Sequence, residues 1–355
     1  MTHLVLPGGA DKASPPAAPG TGAIDIDEPP RSKSWWGYIG AKAGGAFISL
    51  IMVVVLGFFA FRILPGDPVR TMTQGRRVSA EQLEALRVEL GLDQPVLTQF
   101  WNYLIGIFTG DLGHSFTYNQ PVSELILERL GPTLLLTGSA FLLAISLGLW
   151  LGQRAAWRRG SAFDRTQTSI ALTLWSVPTF WLGLLLLVFF AGTLNWFPAG
   201  GMATAGNPYT GIRAVLDVAH HMVLPVITMA AVVYAQYLLV MRASLLEEMT
   251  ADYLVTARAK GLNEDRVRRK HAVPNAMLPT VTLVFLAIGG LIGGGVSVET
   301  VFSWPGLGYL TYQALSAPDF PVLQGTFVVF SSIVIVMNLF ADIVYRILDP
   351  RLRTS

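Results

Sequence analysis

The sequence predicts an all-α polytopic membrane protein, and three observations carry that reading. The 355 residues are 52% hydrophobic and only 14% charged, against about 25% charged in ordinary soluble domains. The apolar residues fall in uncharged blocks of about 20, the length that crosses a hydrocarbon core roughly 30 Å thick. Prolines inside these blocks are tolerated because neighbouring helices re-satisfy the freed backbone groups. A net charge of only +2 makes no case for nucleic-acid binding. With no cysteine in the chain, disulfides, iron–sulfur clusters and thiolate metal sites are excluded.

Residues 1–34 are rich in Pro, Gly, Ala and Ser without apolar periodicity, and read as a disordered cytoplasmic tail rather than a signal peptide. Residues 35–353 form the transmembrane domain. "SWWGYIGAK" places Trp35, Trp36 and Tyr38 at headgroup level ahead of the first span. Six spans are expected, over about Ala43–Leu64, Pro132–Gln153, Thr166–Leu194 (kinked near Pro178), His221–Met241, Ala276–Val298 and Pro321–Tyr345.

Lys and Arg set the orientation. "RAAWRRGSAFDR" after the second span has four basic residues, and the stretch from Arg242 to Lys270 has seven. The loop after the third span has only Arg213. Basic loops mark the cytoplasmic side, which puts both termini there, in a multi-pass protein of the plasma membrane.

The segment 65–131 is then external. "SAEQLEALRVELGL" reads as a helix with a Ser79/Gln82 capping box, a stripe of Leu83, Leu86 and Leu90, and Gly91 as its stop. "PVLTQFWNYLIGIF" is a second helix, apolar and too short to span. The segment is equally readable as a structural cap or as a docking surface.

Catalytic signatures are lacking. There is no Walker A motif, no H-E-x-x-H and no G-x-S-x-G. His220 and His221 are adjacent, diverge by about 100° on a helix and read as interfacial polar anchors. Glu299 and Asp342 sit near span ends and read first as structural pairs. Scarce buried charge argues against an ion-coupled carrier, and the lack of convergent polar groups argues against a membrane-embedded enzyme. Gly289/Gly293 and Gly290/Gly294 form two small-xxx-small pairs that invite close helix packing, within the chain or with another subunit.

The cytoplasmic segment 244–275 is the most informative. Tyr253, Ala257 and Gly261 are spaced by four and share one helix face. That face offers an aromatic, a small residue and none, a surface a partner's backbone could approach, with Asp252, Arg258 and Lys260 flanking it. Gly261 ends the helix, and "NEDRVRRKHA", with Glu264 in its first turn, opens a second helix leading into the fifth span.

Here the chain resembles a known family. "VTARAKG" (Val255–Gly261), followed nine residues later by "HAVP", is similar to the EAA loop of ABC importer permeases. It matches at Ala257, Gly261 and Pro274 and departs at Val255, Thr256, His271 and Val273. "LPGDPV", "LGLDQPVLTQF", "GDLGHS", "GSAFD", "VPTFWLGLLLL", "VETVFSWPGLGYL" and "LDPRLR" resemble, in order over residues 40–353, the B-type permease subunit of dipeptide and oligopeptide ABC importers. The resemblance implies a type I importer fold and a non-enzymatic subunit. Its partners would be a homologous C-type permease, two cytoplasmic ATPase subunits that bind the ATP and magnesium, an extracellular or periplasmic substrate-binding protein, and membrane lipid. No cofactor is expected in this chain. Asp252, Tyr253, Ala257, Arg258, Gly261 and Glu264 would couple to an ATPase. Glu299, Trp304, Pro305 and Gly306 are expected to shape an outer gate. Peptides are the favoured cargo, with oligosaccharides, glutathione and nickel chelates as alternatives.

Overall fold

The structure, a computed structural model, describes residues 35–63, 68–73, 78–206, 209–288 and 295–348. They are helical throughout, with no strand beyond an isolated bridge between His114 and Pro121. In chain order the elements are α1 (Trp35–Ile63), α2 (Pro68–Met72), α3 (Ala80–Glu89), α4 (Val96–Thr109), α5 (Val122–Trp157), α6 (Ala162–Ser176) and α7 (Thr179–Leu186), the last continued by a π-helical stretch, Leu187–Thr193. Then come α8 (Ile212–Glu248), α9 (Asp252–Ala259), α10 (Glu264–Val267), a π-helical stretch Arg268–Ala272, α11 (Val273–Ile288), α12 (Val296–Val301), α13 (Leu307–Ser316) and α14 (Phe320–Leu348).

Among the described residues, four single helices are long and apolar enough to cross a membrane: α1, α5, α8 and α14. The third expected span is not a kinked helix. Its two halves, α6 and the α7 unit, meet at 103°. Pro178 supplies the physical reason: its ring disfavours the helical region for the residue before it, and Val177 is extended at φ −82°, ψ 130°. The pair counts as one broken span or as a re-entrant turn. The fifth expected span, Ala276–Val298, is described as α11 and the start of α12, and the glycines Gly289, Gly290, Gly293 and Gly294 lie outside the described residues. α5 and α8 outrun their expected spans, reaching 36 and 37 residues with Pro132 and Pro225 inside them.

The spine of the molecule is the α5–α8 pair. Two glycines on α5 permit it: a Cβ on Gly148 would stand 2.5 Å from the Cβ of Tyr237, and one on Gly152 2.7 Å from the Leu238 carbonyl. This is the small-xxx-small contact that brings membrane helices close. Four buried clusters stack along the bundle. Val122, Leu125, Leu307 and Val322 form the layer at the α13 end, followed by Leu136, Leu224, Phe302 and Trp304. Next come Phe141, Ala144, Tyr234 and Tyr237, and finally, at the α9 end, Met241, Leu245, Leu254, Ala257 and Ala272. α1 lies against α14, where Lys42 pairs with Asp342 at 2.8 Å and Tyr38 lies beneath the Arg346 guanidinium. Asp342 therefore has the structural partner expected of it.

The capping box on α3 forms as expected: Ser79 Oγ accepts from the Gln82 backbone, and Gln82 Oε1 accepts from the Ser79 backbone. Gly91 follows with φ +63°.

Candidate functional site

Three residues separate the end of α8 from the start of α9. Leu254 and Ala257 point inward, into the cluster with Met241, Leu245, Val267, Ala272 and Ala276. Ala257 is only 6% exposed, so the Tyr253/Ala257/Gly261 face is not the free surface its spacing suggested. The smallness of Ala257 serves contact within the chain: a larger side chain would hold α9 away from α8 and α11. Tyr253 is likewise engaged. Its hydroxyl donates to Glu248 and accepts from Asn275 Nδ2 at 2.9 Å. Burial, and then the bond to Glu248, push this phenol up, so it stays protonated as a donor.

The face turned away from the bundle consists of Asp252, Val255, Thr256 and Ala259, all exposed at helical spacing. Val255 is 60% exposed, an uncovered apolar side chain on a short polar helix. Arg258 reaches forward to Glu264, Nε to Oε1, at 2.9 Å. Gly261 has φ +79° with open space where a Cβ would stand, so it closes the helix as expected. Asn263 then caps α10 through the Arg266 backbone N–H, and α10 runs through the π-helical stretch into α11 as one continuous rod. The expected helix–glycine–helix leading into α11 is present, with Ala257 packed inward while Tyr253 and Gly261 stay exposed.

One neighbour of this segment carried no expectation from the sequence. Asp164 receives both Nε and Nη2 of Arg242, at 2.6 and 2.9 Å, and accepts from the Gly160 backbone at 3.0 Å. This bidentate clamp ties the α5–α6 turn to the last turns of α8, just before α9. Its acid lies in the "GSAFD" block, but Arg242 is 78 residues away, beyond the reach of any local pattern.

The residues expected at an outer gate are locked into the interior at the opposite end. Glu299 is 0% exposed. It accepts from Thr133 Oγ1 at 2.7 Å, Gly308 N at 2.7 Å and Tyr309 N at 3.0 Å, and so caps α13. Thr133 Oγ1 in turn accepts from Leu307 N at 2.8 Å, and Trp304, fully buried, donates from Nε1 to the Pro132 carbonyl at 2.9 Å. Gly306 is required by closeness: a Cβ there would collide with the Glu299 carboxylate. Pro305 is half-buried between them. These contacts join α12 and α13 to α5.

A second buried carboxylate, Asp319, holds the segment ahead of α5. It accepts from Ser115 Oγ at 2.7 Å and Thr117 N at 2.9 Å, and Tyr118 OH donates to Gln313 at 2.9 Å nearby. Beside it, between α3, α4 and the start of α14, lies a cavity of about 540 Å³ whose polar lining includes Gln94, Asn102, Asp111, His114, Asn119 and Gln324. His220 and His221 contact the backbone carbonyls of Trp196 and Asp217 at 3.0 and 2.8 Å. Among the described residues no group of three or more His, Asp or Glu side chains is placed to hold a metal.

The comparisons with known proteins bear on the whole chain. Residues 144–354 match the family described as "Binding-protein-dependent transport system inner membrane component", and residues 37–137 match its N-terminal companion. The dipeptide transport system permease protein DppB of Escherichia coli (strain K12) is 37% identical over 333 residues, covering 89% of this chain and 98% of the relative. A putative peptide transport system permease protein of Brucella abortus (strain 2308) is 40% identical over 305 residues, covering 86% and 95%. A solved chain of the MetNI methionine ABC transporter covers 63% of this chain and 96% of its own, with a TM-score of 0.49 and 19% identity. On the family match and the two relatives, the chain belongs to the binding-protein-dependent transport system inner membrane components.

Proposed function

We propose that this chain is the membrane permease of an ATP-driven importer of di- or oligopeptides. It would work with a homologous second permease, two ATPase subunits that bind ATP and magnesium, and an extracellular substrate-binding protein. The peptide reading rests on the two relatives, each named for dipeptide or peptide transport. The mechanical reading is carried by one observation: α9 presents Asp252, Val255, Thr256 and Ala259 outward on a helix whose other side is packed into the bundle.

In this reading the α9 end is cytoplasmic, as its basic residues suggest, and both termini share that side. An ATPase groove would cover the Val255 face. ATP-driven closure of the ATPases would push α9, and the push would pass through Leu254 and Ala257 into α8 and α11. The Asp164–Arg242 clamp would carry the same displacement to α6 and the broken third span. The chain itself performs no chemistry and holds no nucleotide.

The test is uptake of labelled dipeptides by vesicles containing the co-purified subunits. Uptake should require ATP and the binding protein and persist when ion gradients are collapsed. Uptake that collapses with the gradient, or that proceeds without ATP, overturns the importer reading. ATP-dependent uptake of an oligosaccharide, glutathione or a nickel chelate in place of peptides would keep the importer and replace the cargo.

A further inference from the structure

We propose that α4 is an interfacial membrane helix, lying in the bilayer boundary beside α1 with its uncovered apolar stripe in lipid. At 14 residues it is about 21 Å long at 1.5 Å per residue, too short to cross. Its residues sort cleanly around the helix. One flank, Phe100 and Tyr103, packs on α1, with ring centroids 5.3 and 5.5 Å from Phe58. A second flank is polar: Asn102 Nδ2 donates to Gln94 Oε1 at 3.1 Å, Gln99 Nε2 to the Gln94 carbonyl at 2.7 Å, and Thr98 is exposed.

Between these flanks runs Leu97, Trp101, Ile105 and Phe108, at spacings of four, four and three, with exposures of 69, 54, 56 and 67%. A contiguous apolar stripe of this size marks a partner or a membrane.

Continuity says which. The flank of α1 next to α4 exposes Ile48, Met52, Leu56 and Phe59, an apolar strip on a helix long and apolar enough to cross a membrane. Phe59 stacks on Phe100 at 6.3 Å, and Phe100 adjoins Trp101 at 6.1 Å. The α4 stripe thus continues the exposed apolar strip of that span-length helix. The depth agrees. Phe58 and Phe59 lie four or five residues before the end of α1, about 6–8 Å of helix rise, and interfacial helices bury their apolar face about 5–10 Å into the headgroup and acyl boundary. Trp101 and Tyr103 are residue types that settle there. α4 carries no charged residue, so its attachment comes from apolar burial and does not depend on anionic lipid. The bilayer thereby holds α4, the wall of the 540 Å³ cavity, at a set height beside α1.

The chain contains no cysteine, which makes the test direct. Single-cysteine variants Leu97→Cys, Trp101→Cys, Ile105→Cys and Phe108→Cys, with Thr98→Cys and Asn102→Cys as the polar flank, carry a nitroxide label. The full chain with its co-expressed subunits sits in phosphatidylcholine nanodiscs. At the four stripe positions, collision with oxygen should exceed collision with a water-soluble nickel chelate severalfold, and the ratio should invert at Thr98 and Asn102. Adding anionic lipid should leave both ratios unchanged. Free access of the nickel chelate to the stripe would place it in water. Exclusion of both reagents would mean that protein covers it. Either result overturns the proposal. As a check that needs no label, W101F should lower the share of tryptophan emission quenched by brominated lipid, and an unchanged share counts against lipid contact.

Discussion

The two ends of the bundle are held together by different physics. At the α13 end, buried carboxylates act as fixed bolts. Glu299 and Asp319 are each 0% exposed, and each joins elements far apart in sequence, Glu299 to Thr133 across 166 positions and Asp319 to Ser115 across 204. At the α9 end the charged contacts of α9 and α10 themselves are short-range and exposed, Arg258 to Glu264, Arg269 to Asp265 and Tyr253 to Glu248, while the sheltered Asp164–Arg242 pair sits on α6 and α8, outside α9. α9 and α10 are seated on the bundle mainly by apolar contact of Leu254, Ala257 and Val267, with a polar link between Tyr253 and Asn275 on α11. Buried charge-assisted bonds are strong and intolerant of displacement, whereas apolar contacts are non-directional. A segment seated on apolar contacts can therefore shift as a unit where a bolted one cannot.

The sharpest break in this comparison is Glu299→Ala. It strands the Gly308 and Tyr309 amides and the Thr133 hydroxyl in a buried site, at an expected cost of about 3 kcal/mol. Thermal unfolding of the purified complex should show a larger loss than for Asp164→Asn, Arg258→Ala or Val255→Glu, and a midpoint shift no bigger than that of a surface variant would dissolve the bolt picture. Asp164→Asn comes next. Losing the charge of a bidentate, half-sheltered pair should cost about 1.5 kcal/mol and lower uptake per ATP hydrolysed. Stability loss with that ratio intact would reduce the clamp to a structural brace.

Smaller effects belong to the α9 end. Arg258→Ala should change stability by no more than about 0.5 kcal/mol, as for other exposed pairs, and a loss of several times that would show the end to be bolted after all. Val255→Glu should leave the unfolding midpoint almost unmoved, because the side chain touches solvent in this chain alone. Its effect should appear only with the ATPases: weaker co-purification and reduced transport. Normal assembly and transport in that variant would remove the outward face of α9 from the coupling role.

Much of the architecture was legible because it depends on short-range regularities. Apolar block length announced helices at α1, α5, α8 and α14, Ser79 and Gln82 announced the α3 cap, and Gly261 announced the end of α9. Proline marked the break at Val177–Pro178, but its 103° size depends on how α7 packs on α8 and α12. The site was legible as a segment, but not which of its residues would pack inward. A spacing of four shows that Tyr253, Ala257 and Gly261 line up. It does not say which side meets the bundle, and Leu254 with Ala257, three apart, was the stronger inward pair. At the outer turn, Glu299 has the structural pairing read for it first, but its partners were not legible: Glu299 and Gly306 look available in a loop-like string and become interior once Thr133 and Pro132 arrive from 166 residues or more upstream.

By itself, then, the sequence determined that this is a helical membrane protein, where most of its helices lie, and that a charged helix–glycine–helix interrupts its apolar half. Those properties follow from hydropathy, helix period and backbone stereochemistry, which act within a few turns. Only the tertiary structure decided that Ala257 faces inward and Val255 outward, that Arg242 clamps Asp164, and that Glu299 is a bolt. Burial and long-range pairing are properties of which surfaces meet, and that is settled by packing across the whole chain.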